Sequence, residues 1–192
     1  GGTGPCIVCA QAGNVNTGAF DPITAIVLAT RARGAWLHVD GAFGLWAAAS
    51  PTYRPLLEGV ALADSVAADA HKWLNVPYDC GLVFTAHPES HRRAMTVSAA
   101  YILETGAERD PRDFVPEESR RARAVPVYAA LRALGTDGVA EIVDRGCRLA
   151  TRMAARLARH PSVRVLNDVV LNQVLVRVEG ADPDALTRAM IA

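Results

Sequence analysis

One residue type is nearly missing from this sequence. Of its 20 basic residues, 19 are arginine and one, Lys72, is lysine. Arginine can replace lysine in most surface roles, but a guanidinium stays protonated and cannot attack a carbonyl. A chain that avoids lysine yet keeps one marks that position for amine chemistry. A leftover surface lysine is the bland alternative. Attaching a carbonyl cofactor needs such an amine, together with an acid facing the electron-accepting ring. Asp40 is the candidate acid, because it closes the apolar run Trp36-Leu37-His38-Val39. Taken alone, Asp40 also reads as a turn aspartate and His71 as a packing histidine. Their company with Lys72 favours the chemical reading.

The elements that must position these residues alternate between strand and helix. Residues 5–10 read as a buried strand, followed by the turn-forming cluster Gly13-Asn14-Val15-Asn16-Thr17-Gly18. Asp21-Pro22 opens a helix, with Asp21 as its cap and Gly34 near its end. Strands are expected over 36–39, 65–68 and 81–85, with a short helix near 55–59. The polar, proline-containing stretch 104–119 reads as an exposed loop. Two long helices are expected over 117–134 and 137–159, broken around Gly135. Strands near 162–166 and 172–178 and a helix from Pro183 follow. This alternation predicts an α/β fold with a largely parallel sheet. Asp40 and Lys72 would lie at strand ends, where ligand sites of α/β sheets gather.

Composition narrows the function classes. The 192 residues are about half hydrophobic, with 20 acidic groups balancing the 20 basic ones. A net charge of zero gives no electrostatic reason to expect a nucleic-acid or membrane partner. No apolar run reaches the roughly 18 residues of a membrane-spanning helix. The N-terminal residues lack the pattern of a signal peptide, so a soluble cytoplasmic protein is expected. Cys6 and Cys9 form a C-x-x-C, which invites a redox or metal reading. No second Cys or His pair completes a zinc site, and strand residues three apart face opposite ways. Two small buried hydrophobes are expected instead, and no metal.

Three stretches carry a resemblance to a known family. They are Gly18-Ala19-Phe20-Asp21-Pro22; then Trp36 to Phe43; then Ala63-Asp64-Ser65, Asp69-Ala70-His71-Lys72-Trp73-Leu74 and Tyr78-Asp79-Cys80-Gly81. In these residues and their spacing the chain resembles the group II pyridoxal phosphate-dependent decarboxylases, which act on aromatic amino acids, glutamate and related substrates. The resemblance implies the fold of the type I pyridoxal phosphate-dependent transferases: a mixed, mostly parallel sheet flanked by helices, plus part of a smaller C-terminal α/β domain. Residues 1–125 would be the C-terminal part of the large cofactor-binding domain, and 126–192 the start of the small one. The cofactor would be pyridoxal 5′-phosphate, the substrate an L-amino acid, and the assembly a homodimer with its active site at the interface.

Residue roles follow from the same resemblance. Lys72 would carry the cofactor, Asp40 would pair with the pyridinium nitrogen, Ala42 would pack on one ring face, and His71 would lie near the phosphate and reaction centre. Tyr101 falls where the family has a tyrosine that protonates the carbanion left after carbon dioxide departs. Val15 stands where relatives have a threonine, with Asn14 or Asn16 as the substitute contact. Asp69 stands where animal relatives have asparagine. Arg120, Arg121 and Arg123 are expected on a solvated helix face or a dimer contact, and His87, His91 and His160 at the surface. The family's upstream phosphate-binding loop has no counterpart, so the 192 residues are expected to be a piece cut at both ends and inactive alone. The rival readings are another reaction on the same fold (transamination, aldehyde-forming deamination, desulfuration) and a non-catalytic remnant.

Overall fold

The computed structural model describes residues 4–97, 109–117 and 119–191. Four strands form one sheet in the order β1-β2-β3-β4: β1 is Ile7–Gln11, β2 Trp36–Asp40, β3 Ser65–Asp69 and β4 Gly81–Thr85. The first three run parallel, and β4 returns antiparallel to β3. The register places Gln11 beside Asp40, Asp40 beside Ala67 and Asp69 beside Gly81. The ends of β2 and β3 that carry the candidate residues therefore lie side by side, as expected for a parallel crossover fold.

Helix α1 (Ile23–Arg31) crosses from β1 to β2 and buries Ile23, Val27 and Thr30, four and three residues apart, on one stripe. These meet Ala10, Ala12, Leu37, Val39 and Val66 in the first core cluster. Leu37 and Val39 are fully buried, and each such side chain contributes roughly 1.5–3 kcal/mol. The Thr30 hydroxyl, buried with them, donates to the carbonyls of Ile26 and Val27.

Asp21 does not cap α1. Pro22 holds the cap position, and the Asp21 carboxylate accepts instead from the Gln11 amide of β1 at 2.7 Å. A tertiary partner one strand away has displaced the local one. Cys6 and Cys9 are likewise exposed rather than buried. Val8 and Ala10 face the α1 side, so Cys9 points to the opposite face of an outer strand, where no described residue covers it.

Beyond β4 come α2 (Pro88–Met95), α3 (Ala124–Leu157), a two-stranded antiparallel sheet of β5 (Val163–Val165) and β6 (Val176–Val178), and α4 (Pro183–Ile191). The two long helices expected from the sequence are one element that turns at Gly135, whose φ of 62° and ψ of −175° interrupt the helical path. The element starts at Ala124, later than expected. Arg121 and Arg123 precede it, so they form no helix face. Both guanidiniums reach back to Asp79, at 3.5 and 2.9 Å from its carboxylate. On α3, Val139, Val143, Cys147 and Ala150 form a buried stripe at spacings of four, four and three. Val143 and Cys147 pack with Ala47, Trp73 and Leu171, and Val127 and Val139 with Ala70, Leu74, Val76 and Cys80. The long helix thus shares its core with the segment that carries Lys72. Among the described residues, no helix is long and apolar enough to cross a membrane.

Candidate active site

The segment between β3 and β4 folds back over the end of the sheet. Ala70 N donates to Cys80 O at 2.9 Å, Val76 N to Ala70 O, and Asn75 N to Lys72 O. Asn75 takes a left-handed φ of 55°, which asparagine tolerates better than most residues. Ala70, Trp73, Leu74, Val76 and Cys80 are buried, His71 and Lys72 are half-buried, and Asn75 and Pro77 to Asp79 are exposed. Asp69 is fixed from behind, because its carbonyl accepts from the Trp46 indole at 2.9 Å.

Lys72 is one-quarter exposed, and its amine lies 2.7 Å from Asp69 Oδ2. It also sits 4.2 Å from the centre of the Phe43 ring, in cation–π range. Asp40 makes no ion pair with it. The two need not touch, since the aldehyde-bearing carbon and the nitrogen of a pyridoxal ring are para to one another. The turn after Asp40 connects them: Asp40 Oδ1 accepts from Ala42 N at 3.0 Å, and Phe43 follows directly. Among the described residues, the exposed Asp40 carboxylate has no other partner. Ala42 is half-buried.

His71 Nδ1 lies 3.0 Å from both the amide and the carbonyl of Cys80, and Nε2 faces Asp69 Oδ2 at 3.6 Å. The ring also packs on Tyr78, with centroids 4.1 Å apart. Asn14 is committed to its own turn: its Oδ1 accepts from Asn16 N and Thr17 N, and its Nδ2 donates to Gln11. Of the two candidate substitutes beside Val15, Asn16 is the one whose side chain has no partner among the described residues. Tyr101 lies outside the described residues. No sequence signal marks Phe43 as a support for Lys72, whereas the D-x-x-K spacing does signal Asp69 as its ion partner.

A cleft of about 450 Å³ opens beside Lys72, walled by Phe43, Trp73, Ile142, Arg145 and Asn172. A larger apolar cleft of about 540 Å³ lies elsewhere, against Trp46, Phe84 and Leu131. It contains none of the candidate residues, so the chemistry goes with the smaller one. Burial pushes the Cys80 and Cys147 thiols up, away from thiolate reactivity.

A lysine amine, a carboxylate bonded only to its own turn and a histidine, gathered at one end of an α/β sheet, are the groups that covalent amine–carbonyl chemistry would need. Comparison with known proteins shows the family. Residues 1–179 match the pyridoxal-dependent decarboxylase conserved domain, and the chain belongs to that family. It is 31% identical over 180 residues to an aromatic-L-amino-acid decarboxylase of Bacillus atrophaeus, covering 92% of this chain and 38% of that protein. It is 33% identical over 171 residues to an acidic amino acid decarboxylase of Bos taurus, covering 86% and 33% respectively. Its structure resembles that of Rhodiola rosea 4-hydroxyphenylacetaldehyde synthase, with a TM-score of 0.82, 27% identity, and coverage of 97% of this chain and 39% of that one. The chain thus spans between a third and two fifths of the length of these relatives. The fold is that of the type I pyridoxal phosphate enzymes, and the cofactor is pyridoxal 5′-phosphate. The residues present fit its aldehyde and ring-nitrogen ends: an amine for the first, and an acceptor with spare capacity for the second.

Proposed function

We propose that this chain holds the reactive end of the cofactor in a pyridoxal phosphate-dependent L-amino acid decarboxylase, which releases carbon dioxide and the corresponding amine. The observation that carries the reading is the sole lysine, Lys72, held by Asp69 and Phe43 at the sheet end where Asp40 stands unpaired. When bound, the cofactor supplies a ring that accepts the electrons of the breaking bond. Lys72 would hold it by its amine and yield it to the substrate amine. Asp40, fixed by Ala42 N, would keep the ring nitrogen protonated by a charge set in place beforehand. Ala42 would lie against the ring, His71 near the phosphate side, and Asn16 at its edge. Tyr101 would deliver a proton to the substrate carbon. A cytoplasmic homodimer, with residues 1–125 in the cofactor-binding domain and 126–192 in the smaller one, completes the reading.

The test uses the full-length protein. Borohydride reduction followed by peptide mass spectrometry should find the cofactor on Lys72, and Lys72→Ala should lose both the adduct and amine release. An adduct elsewhere refutes the assignment. A second reading, oxidative formation of the aldehyde with loss of ammonia and with dioxygen as the oxidant, is favoured by the resemblance to a protein named 4-hydroxyphenylacetaldehyde synthase. Product analysis separates the two.

A further inference from the structure

Among the described residues, Asp69 is the one carboxylate bonded to the Lys72 amine, and nothing in the family reading gives it a task. It is tightly placed: its carbonyl is held by the Trp46 indole, its amide reaches Ala42 O at 3.4 Å, and its Oδ2 is faced by Lys72 Nζ at 2.7 Å and His71 Nε2 at 3.6 Å. The charged and titratable groups around this oxygen are therefore Lys72 and His71, with Arg145 further along the same cleft. Phe43 supports the other side of the amine. An ammonium cannot attack a carbonyl until it gives up a proton, and the acceptor must be within hydrogen-bond reach. At 2.7 Å, Asp69 Oδ2 is such an acceptor.

We propose that Asp69 is the positioning residue and proton acceptor that loads the cofactor onto Lys72. This rests on Lys72 being the attachment site. The Lys72 ammonium gives one proton to Asp69 Oδ2, and the lone pair so freed forms the bond to the aldehyde carbon. The carbonyl oxygen leaves as water, taking one hydrogen from the amine and one from Asp69. The linkage keeps one N–H and its positive charge, and Asp69 is a carboxylate again, opposite that charge. His71 Nε2 faces the same carboxylate oxygen at 3.6 Å. Atoms and charge balance with no further reactant.

A negative side chain here could instead act only by repelling the cofactor's phosphate, and two aldehydes separate these roles. Cofactor-free full-length protein, wild type and Asp69→Asn, would be mixed with pyridoxal 5′-phosphate or with pyridoxal, which has no phosphate. Covalent linkage would be followed by absorbance and by borohydride trapping at Lys72. The expected result is a slowing of about tenfold or more in Asp69→Asn with both aldehydes, toward the lower end of general acid–base contributions. Asp69→Glu, which keeps the carboxylate, should recover most of the rate, and thermal melts should show that the variants fold. Acceleration by pyridoxal 5′-phosphate alone, or unchanged rates with both aldehydes, would overturn the proposal. If the wild type itself traps nothing at Lys72, the functional reading fails first and takes this inference with it.

Discussion

Ser50 Oγ donates to Asp144 Oδ1 at 2.5 Å, across 94 residues of sequence. Ser50 is fully buried, and the same hydroxyl oxygen accepts from the amides of Thr52 and Tyr53. One side chain thus closes the turn after Gly44–Ala49 and anchors α3. Ser50→Ala removes a charge-assisted bond and leaves partly buried groups unpaired, so it should cost about 2–3 kcal/mol. Urea unfolding should read this as a lower midpoint with an unchanged slope.

Gly44 packs directly on Ala12, the residue that follows β1. A Cβ there would sit 2.3 Å from Ala12 O and 2.8 Å from the Phe20 ring, and Gly44 N donates to that same Ala12 oxygen. Backbone cannot yield cheaply, so Gly44→Ala should destabilise by about 3 kcal/mol. Gly34 has a positive φ of 61° but open space around it, so Gly34→Ala should cost only about 1 kcal/mol. The contrast between the two melting temperatures checks the close approach.

The Asp64 carboxyl is held below the usual aspartate range, first by the Leu37 amide at 2.7 Å and then by His87 at 2.8 Å. A depressed folded value means that the carboxylate stabilises the fold above the unfolded value, and that this contribution fades as pH falls through the folded one. Asp64→Asn should therefore be less stable than wild type at neutral pH, with the gap narrowing below the ordinary aspartate range. A gap that stays constant down to acid pH would show that the charge does not matter.

Tyr101 stands 29 positions after Lys72 in the sequence. Tyr101→Phe keeps the ring and removes only the acid. In the full-length protein, amine formation should fall by about 10²-fold while cofactor attachment persists, and in the presence of dioxygen as the oxidant aldehyde with ammonia should appear in its place. Amine produced at the normal rate would leave the residue a packing role alone.

Much of this architecture is legible in the residues. Alternation of apolar runs with Gly and Pro signals locates β1 to β4, and strand ends locate Asp40 and Lys72. What escapes is what depends on a distant partner. Asp21 reads locally as a cap, yet the Gln11 amide takes its carboxylate. Cys9 reads as buried because its strand is apolar, but periodicity cannot say whether a face is covered. Arg121 and Arg123 look like helix surface until Asp79 draws them out of the helix. Spacing alone also cannot choose a rotamer, so it does not show that the Lys72 amine rests on Asp69.

Because β4 runs antiparallel to β3, the eleven residues joining them leave and re-enter the same hydrogen-bonded ladder. Ala70 N and Cys80 O close that ladder one step above Asp69 and Gly81. Lys72 therefore sits on a clamped hairpin rather than on a free crossover. The Ala70 amide is bonded into that closing step and meets solvent only when the step opens. In hydrogen–deuterium exchange, the Ala70 amide should be among the slow sites, beside Leu37 and Val39, although it lies two residues from the reacting amine.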